Sequence, residues 1–129
     1  MNLVYIVMGL ALVQFLFFGY AVGAARGRYG IKAPATTGNE QFERYFRVQM
    51  NTLELLVVLI PALPMFAWFI SARWAAALGA LYIVGRGFYY VGYTRDPAKR
   101  SFGFLLSSLP VFALLLGGIG GAIAAYFKG

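Results

Sequence analysis

Four long apolar runs fill most of this chain, and short polar stretches rich in basic residues separate them. The first run, Leu3 to Ala25, holds no charged residue. About 20 apolar residues are enough for a helix to cross the hydrocarbon core of a bilayer. Inside lipid every backbone polar group needs a partner within the protein, so apolar runs of this length are helices. The pattern therefore predicts an all-α integral membrane protein, a four-transmembrane-helix bundle. Its spans fall at about residues 3–25, 46–70, 75–93 and 102–127 of a single domain, 1–129. Composition agrees: 61% of the 129 residues are hydrophobic and 12% charged, whereas a soluble domain has roughly 25% charged residues.

Local signals set the element boundaries. The first run lacks a basic leader and is too long for a signal peptide, so it reads as a retained span. Gly19 and Gly23 give it a small-x-x-x-small spacing that permits close helix contact. Arg26 to Asn39, with its glycines, Pro34 and basic residues, reads as a head-group-facing loop. Thr37 and Glu40 fit a capping box for a second helix, Glu40 to Ile70, which carries Pro61 and Pro64 in mid-span. Ser71 to Trp74 reads as a turn. Thr94 to Ser101 reads as a second loop, in which Asp96 caps a new helix and Pro97 takes its first position. Lys99 and Arg100 then fall in the first turn of that last helix, against its dipole. Pro110 and the glycine-rich stretch Gly117 to Gly121 follow.

Arg26, Arg28, Lys32, Arg44, Arg47, Arg95, Lys99 and Arg100 sit on one side of the spans, against Arg73 and Lys128 on the other. The positive-inside rule then places loops 26–45 and 94–101 in the cytoplasm and both termini opposite. Net charge is +7. The basic residues lie at span ends, which favours lipid head groups over nucleic acid as their partners. The chain has no cysteine and no histidine, and only four acidic residues. Disulfides are excluded, and neither a metal site nor a Ser-His-Asp triad is expected. Catalysis, if any, rests on Arg, Lys, Tyr, Ser or Thr, or on a reactive group that the substrate brings.

One polar stretch stands out. Glu40 to Glu54 runs straight into the apolar Leu55 to Ile60. On a helix Arg47, Asn51 and Glu54 share a face, as do Arg86, Tyr89 and Tyr93 further along the chain. Arg26, Gln49 and Arg100 fall at the same membrane level. Charges there are costly and usually face a partner, a cavity or a ligand. The excess of guanidinium groups suits a ligand with several carboxylates and one ammonium, the latter directed to Glu54. Asn51, Gln49 and the tyrosines would take its peptide groups. Two structural readings compete: Glu54 pairs internally with Arg47 or Arg86, and Arg86 with its tyrosines forms an interfacial belt with a snorkelling cation.

Phe42 to Glu54 (F-E-R-Y-F-R-V-Q-M-N-T-L-E) and Tyr89 to Arg100 (Y-Y-V-G-Y-T-R-D-P-A-K-R) resemble the two signature segments of the MAPEG family, the membrane-associated proteins in eicosanoid and glutathione metabolism. The A-A-R and P-A-T-T-G stretches at residues 24–26 and 34–38 are similar as well. The likeness covers nearly the whole chain and is strongest to the microsomal glutathione transferase and leukotriene synthase branch. It implies a homotrimer that binds glutathione between neighbouring subunits, as a co-substrate and without a metal. It further implies that Arg26, Arg47, Asn51, Glu54, Arg86, Tyr89 and Tyr93 bind glutathione, with Gln49 nearby. Arg100 matches the arginine that activates the sulfur. The acceptor implied is a hydrophobic electrophile or a lipid hydroperoxide. Leu55 departs from the tyrosine of the leukotriene synthases, and Gly27 from a second basic residue after Arg26. A non-catalytic lipid-binding scaffold and a small proton-coupled exporter using Glu54 are the competing functional readings.

Overall fold

The computed structural model describes residues 1–129. It contains four long helices: α1 (Asn2–Tyr29), α2 (Glu40–Phe69), α3 (Ala72–Arg95) and α4 (Arg100–Lys128). A short 3-10 turn, Pro97–Lys99, joins the last two. Three segments are long and apolar enough to cross a membrane: α1, α2, and α4 with its preceding turn. The glycines, tyrosines and arginines of α3 make it more polar than the others. At about 1.5 Å per residue its 24 residues still extend roughly 36 Å.

Several boundaries differ from the sequence expectation, each for a local reason. Helix α1 does not stop at Ala25 but runs to Tyr29. Arg26 and Arg28 thus lie in its last turn, where cations favour the helix dipole. Gly30 ends the helix at φ 71°, a left-handed conformation that glycine adopts without a Cβ penalty. The cap of α2 is Asn39, not Thr37: its Oδ1 accepts from the Phe42 amide at 2.9 Å. Glu43 reaches back to the Gly38 amide at 3.2 Å, so Asn39 and Glu43 do the work expected of Thr37 and Glu40. Ser71 caps α3, accepting from the Trp74 amide at 3.2 Å, which makes most of the expected turn helical. Asp96 accepts from the Ala98 amide at 3.0 Å with Pro97 next to it, but it caps the short 3-10 turn rather than α4, which begins at Arg100 after Lys99 and has no side-chain cap. Pro61, Pro64 and Pro110 lie inside α2 and α4, which remain continuous helices.

Helices α2 and α3 pack on each other and form the centre of the bundle. Both α1 and α4 pack against this pair, with little contact between themselves. Val4, Val7, Leu56, Leu59, Leu63, Tyr82, Val111 and Leu114 form the main apolar core. Many large apolar side chains point outward, among them Leu16, Val57, Leu109 and Leu116. That inverted surface is what a lipid environment requires. Gln14 does not face lipid, because its Nε2 donates to the Ile83 carbonyl at 2.8 Å and so ties α1 to α3.

The closest backbone approach lies between α3 and α4. A Cβ on Gly85 would sit 2.5 Å from the Ser107 amide nitrogen, and one on Gly103 would strike the Tyr89 backbone. Gly117, Gly118 and Gly121 likewise admit Phe66, Met65 and Phe69 of α2. Small residues of this kind drive helix association where lipid removes the usual hydrophobic force. Gly23, by contrast, meets nothing within 4 Å in its own chain. We expect Gly103→Ala to lower stability by about 1–3 kcal/mol through overpacking. Gly9→Ala, in open space, should leave it unchanged or raise it. Thermal unfolding of the purified protein in detergent checks both, and equal midpoints would refute the close contact.

Candidate functional site

The α1–α2 and α3–α4 connections lie at one end of the bundle. There Arg44 of α2 donates to the Arg95 carbonyl of α3 at 3.2 Å. Just inside this end sits a guanidinium with no exposed surface, that of Arg86. Its Nε and Nη2 donate to the Ser107 hydroxyl of α4 at 3.0 and 2.9 Å. Its Nη1 donates to Asn51 Oδ1 at 2.8 Å and to Thr52 Oγ1 at 3.1 Å, both on α2. The Tyr89 ring lies 4.2 Å from the guanidinium carbon. The Ser107 hydroxyl in turn donates a hydrogen bond to the Gly103 carbonyl at 2.7 Å. None of these partners is acidic.

Arg86 therefore does not snorkel to the interface, as a belt residue would. The close approach at Gly85 and Gly103 encloses it instead. Nor does it pair with Glu54. The Glu54 carboxylate lies 3.7 Å from Arg47 and 3.4 Å from Asn51 Nδ2. Of the two internal pairings expected for Glu54, only that with Arg47 forms. Both side chains of that pair are more than half exposed, 52% and 60%.

Above Arg86 opens a cavity of about 470 Å³, lined by Arg47, Asn51, Tyr89, Arg100, Ser101, Phe104 and Leu105. Four of the expected site residues thus converge on one space. Glu54 stands beside it on the Arg47–Asn51 face, and Arg86 lies beneath it. Tyr93 stacks one turn beyond Tyr89, with ring centroids 5.4 Å apart. It lines a second cavity of about 430 Å³ nearer the connections, with Thr36, Thr37, Glu40, Glu43 and Arg44. Arg47 borders both cavities.

Two expected residues lie elsewhere in the chain. Arg26 Nη1 donates to the Ala35 carbonyl at 2.7 Å, and its guanidinium lies 5.0 Å from the Phe42 ring centroid, so it fastens the first connection to α2. Gln49 lies against α1, its Nε2 3.1 Å from where a Cβ on Gly19 would stand. This contact, on the side of α2 away from Arg47 and Asn51, occupies the first glycine of the α1 small-residue spacing. Ser101, Phe104 and Leu105 were not expected. Their only sequence signal is spacing: Phe104 follows Arg100, and Leu105 follows Ser101, by one helical turn.

The cavity is chemically two-sided. Its polar wall carries two guanidinium groups, an amide and a phenol, suited to anionic oxygen or sulfur. Phe104 and Leu105, on α4 beside Arg100 and Ser101, add an apolar lining. The chain holds no cluster of His, Cys, Asp and Glu suited to a metal ion.

A membrane-embedded helical bundle with a basic, two-sided cavity at one end defines the class, and comparison with known proteins defines the family. Residues 4–120 match the MAPEG family, and the chain belongs to it. An uncharacterized protein of Synechocystis sp. is 44% identical over 114 residues, covering 88% of this chain and 83% of that protein. Microsomal glutathione S-transferase 2 of Homo sapiens is 42% identical over 113 residues, 86% of this chain and 76% of that protein. Leukotriene C4 synthase of Bos taurus is 32% identical over 84 residues, 65% of this chain and 56% of that protein.

The site's two arginine environments predict opposite sensitivities. Thr52→Val deprives a buried guanidinium of a partner and should cost about 1–3 kcal/mol. Glu54→Gln breaks an exposed pair and should cost less than about 1 kcal/mol. Thermal or denaturant unfolding of the two variants tests this, and a larger loss for Glu54→Gln would contradict it.

Proposed function

We propose that this chain is a membrane-bound glutathione transferase that holds glutathione in the cavity above Arg86 and activates its thiol beside Arg100. The observation that carries this reading is the convergence of Arg47, Asn51, Tyr89 and Arg100 on one cavity that Phe104 and Leu105 also line. Glutathione brings carboxylates for the guanidinium groups and an ammonium for Glu54. Its thiol supplies the nucleophile that a chain without cysteine lacks. The relatives named as glutathione transferases support the same assignment.

A free thiol has a pKa of about 8.5, and a neighbouring cation lowers it by stabilising the thiolate. A guanidinium neither gives nor takes a proton readily, so Arg100 acts by charge alone. The thiol proton leaves to solvent, and the thiolate attacks an electrophilic carbon of an acceptor lying against Phe104 and Leu105. The leaving group departs with the electron pair. With a lipid hydroperoxide the same thiolate attacks the terminal oxygen, the O–O bond breaks to give the sulfenic acid, and the departing lipid alkoxide takes a proton from solvent to become the alcohol. A second glutathione then converts the sulfenic acid to disulfide and water.

In this reading all four helices span the bilayer and loops 26–45 and 94–101 face the cytoplasm. The active form is a homotrimer with its sites between neighbours. Arg26 and Gln49, which lie outside the cavity of their own chain, reach ligand only across such a boundary. Glu54 is exposed and paired with Arg47 rather than isolated in lipid, which disfavours a proton-coupled exporter.

Replacing Arg100 by Ala should lower kcat/KM for a generic aromatic electrophile by about 100-fold or more. It should also move the pH–rate midpoint upward toward about 8.5, because the thiol loses the charge that held its pKa down. Steady-state kinetics across pH, with the ultraviolet absorbance of bound thiolate, check this. Unchanged turnover and absorbance would remove Arg100 from the mechanism.

A further inference from the structure

We propose that Arg86 is a positioning residue that never touches glutathione, and that it fixes Asn51 as an obligate hydrogen-bond donor to a carboxylate or peptide carbonyl oxygen of the ligand. This rests on the glutathione reading and specifies how one contact in it is made. Four guanidinium hydrogen bonds end on side-chain oxygens inside the bundle: two reach Ser107, one Asn51 and one Thr52. The side chain has no exposed surface. A ligand in the cavity meets Asn51 and Tyr89, which lie over it, before it could meet Arg86.

The consequence falls on Asn51. A free asparagine amide can donate or accept, and it can turn over to suit either partner. Here it cannot. Arginine has no acceptor, so the atom 2.8 Å from Arg86 Nη1 must be Oδ1. On its other side Glu54 Oε1 stands 3.4 Å from Nδ2, and a carboxylate only accepts. Both neighbours impose the same orientation. Glu54 takes one Nδ2 hydrogen, and the second remains for the cavity that Asn51 lines. A ligand group at that point must therefore be an acceptor. Turning the amide over would set its NH2 against the Arg86 donors and leave a buried cation short of a partner, which is costly. Thr52 and Ser107 hold the guanidinium in place from α2 and α4, so the amide orientation depends on side chains that do not line the cavity.

A double-mutant cycle on the full-length protein in detergent tests this, with glutathione as the probe and both its Kd and the thermal midpoint as readouts. Arg86→Gln and Asn51→Ala should each weaken glutathione binding by about tenfold. The double variant should also lose about tenfold, because both changes remove the same donor. Losses that multiply to about a hundredfold would mean that Arg86 acts on the ligand independently, and would overturn the proposal. If Arg86→Gln does not fold, Ser107→Ala replaces it in the cycle. That variant removes the acceptor of two guanidinium bonds. It should weaken binding while Asn51 is intact and have no further effect once Asn51→Ala is present; an equal effect in both backgrounds would overturn the proposal. In nitrogen-15-labelled wild type, glutathione should move an Asn51 side-chain amide proton downfield; a resonance that stays in place in the saturated complex would refute the donor role. A folded wild type that binds no glutathione would sink the functional reading instead. The thermal cycle without ligand would then still decide the Arg86–Asn51 link, because additive stability losses would disprove it.

Discussion

The rest of the bundle depends on how a permanently charged guanidinium is accommodated in an apolar interior without a counter-ion. Burying an ion costs several kcal/mol even after relaxation. Arg86 offsets this with four hydrogen bonds to neutral oxygens and with the face of Tyr89. Those oxygens come from α2 and α4, both of which pack against α3. One side chain thus ties three helices together near the polar end of the bundle. The arrangement is unforgiving, since each lost partner leaves a buried donor of a charged group unpaired.

Such a network needs backbones closer than ordinary side chains allow. Gly85 lets the Ser107 backbone approach α3, and Gly103 lets α4 approach Tyr89. These glycines are therefore coupled to the polar site although neither lines it. The same contact explains why Ser107 is buried and doubly bonded: its hydroxyl accepts from Arg86 and donates to Gly103 within its own helix. Packing and electrostatics here are one problem. The helices approach because the residues are small, and that approach delivers the oxygens that make the charge tolerable.

How much of this could be read from the residues differs from level to level. The helices themselves were legible, because long apolar runs in lipid have no other satisfied conformation. The Asp96–Pro97 cap was legible from its chemistry, but it starts a 3-10 turn, and α4 follows only at Arg100. The end of α1 was not legible. Arg26 and Arg28 look like loop residues, and only Gly30 marks where the helix stops. Thr37 and Asn39 are both sound caps, and spacing alone does not rank them. At the site, periodicity put Arg47, Asn51 and Glu54 on one face, and the Arg47–Glu54 and Asn51–Glu54 contacts agree. The same periodicity turns Gln49 roughly 200° from Arg47, a conflict with grouping it beside Asn51 that the helix geometry already contained. Depth was the quantity missing. Periodicity reports which residues share a face and not how far they lie from solvent. Arg86 could thus be read either as a ligand-binding cation or as an interfacial one, while its partners Thr52 and Ser107 were inconspicuous among apolar neighbours.

The lack of histidine also shapes the chemistry this site can support. An enzyme that relies on a proton-transferring side chain inherits that side chain's titration. A guanidinium is a source of charge rather than a proton-transfer group, so guanidinium groups present a fixed positive field. Under the proposed reading, the group that titrates at the reaction centre is the ligand's own thiol. A constant field suits that task, because it holds the thiolate without competing for its proton. It also accounts for the shape of the cavity. A fixed positive wall needs water nearby to deliver a polar ligand, and the second cavity, sharing Arg47, lies on that side. Under the proposed reading the acceptor needs the opposite environment, which Phe104 and Leu105 would provide about one turn further along α4. Under the proposed reading a single helix start thus sets the activating charge and the apolar lining four to five residues, or roughly 6–7.5 Å, apart along the helix axis, a separation fixed by helix geometry.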